Sequence, residues 1–174
     1  IGAEKSGTTY LKHMLRQHPD IFVTDNKELH FFDKNENYYK GRSYYMSLFE
    51  AVKYESAIGE ITPGYLISPR APKRIFEYNP LMKLIAILRN PIDRVYSNYW
   101  MLFSKGYIIS DFNTAIEDDP YLIEKGNYST QLQNYFDYFP SQQMLILRFE
   151  ELEKPDYLFK KLFSFLNVDQ DFQP

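Results

Sequence analysis

The 174-residue sequence contains no cysteine. That excludes a disulfide-stapled scaffold, a cysteine-ligated zinc site and thiol chemistry, and it suits a reducing compartment. No run approaches the roughly 18 consecutive apolar residues of a membrane-spanning helix, and no signal-peptide pattern is visible. The expectation from these absences is a cytoplasmic protein without a membrane span. A basic excess is missing too: 20 Lys and Arg stand against 23 Asp and Glu, a formal charge of −3. A dedicated nucleic-acid binder shows the opposite balance, so no nucleic-acid partner is expected. Any anion site must then be a local arrangement of cations and backbone N–H groups. Internal repeats, low-complexity blocks and Gly/Ser linkers are also absent, which points to one domain long enough to bury a core.

Aromatic residues, by contrast, are plentiful, with 16 Tyr and 14 Phe. They read first as an aromatic core with tyrosine hydroxyls at its edges; the alternative is that some tyrosines line a cleft. Short apolar runs at 1–4, 21–24, 56–61, 82–88 and 143–149 predict strands. Helix-period segments are expected at 8–17, 45–52, 69–78, from Pro91 onward, at 128–138 and at 158–166. The helix after Pro91 is expected to bury Val95, Tyr96, Tyr99 and Trp100, whereas the polar, tyrosine-rich stretch 35–45 reads as loop. This alternation predicts an α/β, P-loop-like three-layer fold, a central, mainly parallel sheet of about five strands flanked by helices. Ligands of such sheets sit at the carboxyl ends of the strands. The loops after Glu4, Thr24, Ile61 and Leu88 are therefore the places to search for chemistry.

The first of these loops lies in GAEKSGTT, Gly2 to Thr9. It nearly matches the phosphate-binding pattern G-x-x-x-x-G-K-[ST]. Gly2, Gly7 and Thr9 fit, but Thr8 stands at the lysine position and Lys5 appears three residues earlier. The unpaired N–H groups and the dipole at a helix start favour phosphate, and Gly7 lets the backbone approach closely. Ser6, Thr8 and Thr9 add hydroxyls, and Lys5 an ammonium. A triphosphatase also wants an acid at a strand end to hold magnesium, whereas the run 82–88 is followed by Arg89. A cation there suggests direct binding of a second phosphate with no metal required. The plain alternative is an incidental Gly-Thr-Thr helix start.

KSGTT (5–9), KELHFF (27–32) and LRNPIDRVYSNY (88–99) together resemble, in order and spacing, the sulfotransferases that use 3′-phosphoadenosine 5′-phosphosulfate (PAPS). The resemblance is closest to the heparan-sulfate-type and bacterial branch. GEITPGYL (59–66), KGNYSTQL (125–132) and FPSQQMLILRFEEL (139–152) are similar to that family as well. Each piece alone is weakly specific, but the combination is highly specific and spans nearly the whole chain. It implies a single sulfotransferase domain over 1–174, with the start of the first strand and a C-terminal cofactor-closing segment expected outside it.

By this resemblance Lys5, Ser6, Gly7, Thr8 and Thr9 hold the 5′-phosphosulfate, while Arg89 and Ser97 bind the 3′-phosphate. Glu28 takes the place of the family's usual base, with His30 beside it; an extended segment would put both on one face. The acceptor is expected against Lys27, Glu28, His30, Thr62 and Pro63, and Phe31 and Phe32 read as packing residues. The implied reaction is an in-line sulfuryl transfer to a hydroxyl without a covalent intermediate. Glu28 or His30 takes the proton, and Lys5 stabilises charge as 3′-phosphoadenosine 5′-phosphate leaves. More ordinary roles are open at three positions: Ser97 bonding back into its helix, Arg89 pairing with Asp93, and His30 as a structural histidine. Relatives acting on heparan-type sugars often have a lysine where this chain has Ile61. The expected acceptor is therefore less charged: a hydroxyl-bearing small molecule, a lipid, a carrier-bound group or a simple carbohydrate. Two other functions are weighed, a P-loop kinase or NTPase and a non-catalytic nucleotide-binding module.

Overall fold

The computed structural model describes residues 1–26 and 28–172. In chain order these form α1 (Thr8–Leu15), β1 (Ile21–Val23), α2 (Asn35–Tyr38), α3 (Gly41–Ser47), β2 (Ala57–Gly59) and α4 (Ala71–Tyr78). There follow β3 (Leu84–Leu88), α5 (Pro91–Ser104), α6 (Phe112–Asp118), α7 (Tyr121–Glu124), α8 (Tyr128–Phe136), β4 (Met144–Arg148) and α9 (Pro155–Leu166). Short 3-10 turns lie at Pro63–Tyr65, Ser141–Gln143 and Phe149–Glu153.

The strands pair in parallel, β1 with β2 and β3 with β4, the latter in register from Leu84 opposite Met144 to Leu88 opposite Arg148. The continuous apolar run LIAIL of β3 follows from burial on both faces. Side chains alternate along a strand, so Leu84 and Leu88 join one core cluster while Ile85 and Ile87 join the other. The first cluster is aromatic, with Phe31, Phe32, Tyr45, Tyr65, Tyr135 and Phe139. The second is mostly aliphatic, with Leu11 and Leu15 of α1 and Leu158 and Leu162 of α9. Phe31 and Phe32 are 2% and 1% exposed, packing residues as the sequence suggested.

Three expectations need correction. The run 1–4 forms only one parallel bridge, Gly2 opposite Ala86, flanked by Ala3 N–H to the Ile87 carbonyl at 2.8 Å and Ile87 N–H to the Gly2 carbonyl at 2.7 Å. The described residues therefore hold four strands in two separate pairs rather than about five in one sheet. A cleft of about 830 Å³ separates the pairs, with Ile21, Val23 and Gly59 on one wall and Ile1, Leu84 and Ile85 on the other. Second, the stretch 35–45 carries α2 and the start of α3 instead of a loop. Third, α5 buries Arg94, Val95, Asn98 and Tyr99, whereas Tyr96 and Trp100 are 49% and 48% exposed. The cause is Arg94: its guanidinium donates to the Leu122 carbonyl of α7 and to Asn98 Oδ1, which seats α7 on that face. Among the described residues no helix is long and apolar enough to cross a membrane.

Candidate active site

The loop between the Gly2 bridge and α1 ends at Gly7, which caps the helix with φ 84°. A side chain there would be strained, and its Cβ would lie 2.3 Å from Leu152 of the 149–153 turn. Glycine is thus demanded twice, by backbone and by contact. Lys5 is also left-handed, at φ 66°. Its carbonyl accepts from Arg89 Nη1 at 3.2 Å, and the Arg89 guanidinium lies over the Phe149 ring, 4.5 Å from its centre. The carboxyl end of β3 and the opening loop are thereby tied together, which brings the Arg89 guanidinium to the loop that opens α1. Such a place suits anionic oxygens. Thr9 is exposed and Thr8 is 9% exposed, but Ser6 is fully enclosed with its hydroxyl unpartnered. Ser97 is half-buried on α5, two turns beyond Arg89. At the far end of the loop Glu4 is held by Lys125 at 2.7 Å.

The second loop follows β1. Glu28 and His30 do not lie in an extended segment; both have left-handed backbone, at φ 60° and 49°. They nonetheless meet, because the turn folds their side chains onto one another. Glu28 Oε2 is 3.5 Å from His30 Nε2, and His30 Nδ1 is 2.7 Å from Asp33 Oδ2. With Nδ1 donating to Asp33, the imidazole is held with Nε2 toward Glu28, a carboxylate–imidazole–carboxylate line. Gly64 makes room for it: a Cβ there would come within 3.3 Å of Asp33 Oδ2 and 3.4 Å of the His30 ring. The loop 62–66 in turn packs on the start of the chain, with Leu66 N–H donating to the Ile1 carbonyl at 2.9 Å. The two functional loops thus lie at the same end of the strands, Glu28 N–H donating to the Ile61 carbonyl at 3.2 Å.

Thr62 and Pro63 do not present side chains to a ligand. Thr62 is 1% exposed and donates its hydroxyl to Glu60 Oε2 at 2.6 Å, and Pro63 is buried. They build the floor beneath Glu28 and His30, which corrects their expected role as acceptor contacts. Lys27 lies outside the described residues. Sequence reasoning missed Asp33, although its position three residues after His30 was a signal. It also missed Glu60, whose carboxylate accepts from Tyr45 Oη at 2.9 Å and Tyr65 Oη at 2.7 Å. Burial pushes the Glu60 carboxyl up, against the lowering effect of its three hydroxyl donors. Burial likewise raises the Tyr45 and Tyr65 phenols, with the Glu60 charge adding to the effect.

The family model for the sulfotransferase domain matches residues 1–173. Among curated proteins, mouse heparan sulfate glucosamine 3-O-sulfotransferase 5 is 32% identical over 159 residues, covering 84% of this chain and 46% of that protein. Mouse heparan sulfate glucosamine 3-O-sulfotransferase 3B1 is 33% identical over 161 residues, covering 87% and 40%. The chain therefore spans less than half the length of these relatives. Among solved structures, a sulfotransferase from Alicyclobacillus acidocaldarius superposes with a TM-score of 0.91 at 31% identity, covering 100% of this chain and 81% of that one. A sulfotransferase domain from the curacin biosynthetic pathway shares the fold, with a TM-score of 0.70 at 19% identity, covering 99% and 73%.

Proposed function

Because this chain belongs to the sulfotransferase domain family, we propose that it moves a sulfuryl group from PAPS to an acceptor hydroxyl. The observation that carries this reading is the 62–66 loop that both sites share: its Pro63 and Leu66 lie against Gly2, at the head of the Lys5–Arg89 loop, and its Gly64 lies against His30 and Asp33. A donor with anionic groups on both the 3′ and the 5′ position of its ribose suits a loop that carries two cationic residues, Lys5 and Arg89, joined through the Lys5 carbonyl. Residues 5–9 hold its 5′-phosphosulfate through the backbone N–H groups opening α1 and the Lys5 ammonium. Arg89 and Ser97 take the 3′-phosphate.

When bound, PAPS supplies an activated sulfuryl group on a good leaving group. Glu28 accepts the acceptor's hydroxyl proton as its oxygen bonds to sulfur, and His30, held by Asp33, keeps Glu28 in place. Lys5 offsets the negative charge that gathers on the bridging oxygen as the electron pair departs with 3′-phosphoadenosine 5′-phosphate. Positioning and electrostatics suffice for this step, and no metal is required of the protein. The acceptor is a weakly charged hydroxyl compound: a small molecule, a lipid, a carrier-bound group or a simple sugar. Ile61 supports this, since it packs against the aliphatic core where a cation would grip an anionic chain.

Transfer of radiolabelled sulfate from PAPS to pooled hydroxyl compounds tests the proposal. Glu28→Gln is expected to lower turnover about 10²–10⁴-fold and Lys5→Ala about 10²–10³-fold. Near-normal turnover of Glu28→Gln would remove the base assignment, and no transfer to any hydroxyl by the wild type would leave a binding module.

A further inference from the structure

Glu60, one residue beyond β2, is a half-buried acid on the wall of the cleft that the reaction above does not use. Three hydroxyl groups converge on it. Tyr45 Oη and Tyr65 Oη donate to Oε1 at 2.9 and 2.7 Å, and Thr62 Oγ1 donates to Oε2 at 2.6 Å. Tyr45, Tyr65 and Thr62 are 5%, 3% and 1% exposed, so the three donors are enclosed while Glu60 itself stays half-buried at the cleft wall. A hydroxyl has one proton and two lone pairs. With the proton given to Glu60, Tyr65 and Thr62 are left as acceptors, and both accept from the loop that carries the base. Phe31 N–H donates to Tyr65 Oη at 2.9 Å and Phe32 N–H at 3.5 Å, while His30 N–H lies 3.5 Å from Thr62 Oγ1.

The carboxylate therefore sets the direction of hydrogen bonds that end on residues 30–32. That loop holds Glu28 and His30 in left-handed conformations, which persist only where the surroundings over-determine them. An acid half-buried among enclosed tyrosines is a poor choice for filling space, since an apolar residue would avoid its partial desolvation. Its use here lies in orienting hydroxyls.

We propose that Glu60 is a positioning residue for sulfuryl transfer, acting through the Tyr65 and Thr62 hydroxyls to hold the loop that presents Glu28 and His30. This rests on the reading of Glu28 as the base, but its test does not depend on knowing the acceptor. In the full chain, amide hydrogen exchange over 28–33, the His30 ring NMR signal and calorimetric binding of 3′-phosphoadenosine 5′-phosphate are compared for wild type, Glu60→Ala, Glu60→Gln and Tyr65→Phe.

Glu60→Ala and Tyr65→Phe are expected to speed exchange over 28–33 at least about tenfold, with α9 unchanged. In both variants the His30 signal moves toward that of a solvated histidine. Glu60→Gln, which keeps an oxygen for both tyrosines, is expected to stay within about threefold of wild type at Phe31. Binding of 3′-phosphoadenosine 5′-phosphate is unchanged throughout. Unaltered exchange over 28–33, or equal acceleration in α9, overturns the proposal. A wild type that fails to bind 3′-phosphoadenosine 5′-phosphate overturns the donor reading instead, and the exchange data still decide the role of Glu60.

Discussion

Lys5, Glu28 and His30 share an unusual backbone. Among the described residues four non-glycines have left-handed φ; the fourth, Asn167, closes α9, where asparagine commonly takes that conformation. A residue held there costs on the order of 1–3 kcal/mol, and such outliers cluster at functional sites. Glycine would adopt the same conformation without penalty. Glu28→Gly is therefore expected to keep or raise the melting temperature, by up to about 1 kcal/mol in stability, while abolishing transfer. Thermal melts paired with turnover check this. A clear loss of stability would mean that Glu28 serves the fold rather than the chemistry. Lys5, Glu28 and His30 were legible in the sequence because their motifs lie in short contiguous stretches. Asp33, Glu60 and the tyrosine hydroxyls were not, because their roles arise from contacts that spacing does not encode, such as the Phe31–Tyr65 hydrogen bond across 34 positions.

At the scale of elements, the anion loop rests on the 149–153 turn, where Leu152 and Phe149 lie against Gly7. Gly7→Ala combines left-handed strain with overpacking and is expected to destabilise by about 2–4 kcal/mol, with loss of 3′-phosphoadenosine 5′-phosphate binding. Adding Leu152→Ala should relieve the overpacking but not the strain, so a double-mutant cycle should show clear coupling; strict additivity would contradict the contact.

The turn itself is held by Glu151, which accepts from Arg148 N–H and from Lys161 Nζ, both at 2.9 Å. Burial alone would raise its carboxyl, but these donors more than offset that and bring it below the usual 4.5. A lowered folded value means that the stabilisation is complete above the unfolded value and is lost as pH falls through the folded one. The melting-temperature gap between wild type and Glu151→Gln should thus be widest near neutral pH and close in acid. A gap independent of pH would refute the role.

The strands β1 to β4 and the longer helices were legible within a few residues, because burial imposes a period on apolar side chains. The short helices α2, α6 and α7 carry too little of such a stripe. The buried side of α5 was misread because a buried guanidinium, Arg94, replaces an apolar contact.

At the scale of the whole molecule, an aromatic half and an aliphatic half meet at β3 and β4. The anion loop enters from the aliphatic side through α1, and the base loop is pinned by the aromatic side through Phe31, Phe32 and Tyr65. Sulfuryl transfer, as proposed, needs both halves folded at once, with one ligand bridging the Lys5 and Arg89 sites. That ligand requirement is also the sharpest distinction from a triphosphatase: Thr8 stands where its loop lysine would be, and β3 is followed by Arg89 rather than by a magnesium-holding acid. Thermal denaturation with 3′-phosphoadenosine 5′-phosphate, AMP or magnesium-ATP tests it most directly. At 100 times its dissociation constant a ligand adds about 2.7 kcal/mol, roughly 5–10 °C for a domain of this size. The account predicts such a shift with 3′-phosphoadenosine 5′-phosphate and little with the other two. A larger shift with magnesium-ATP would contradict it.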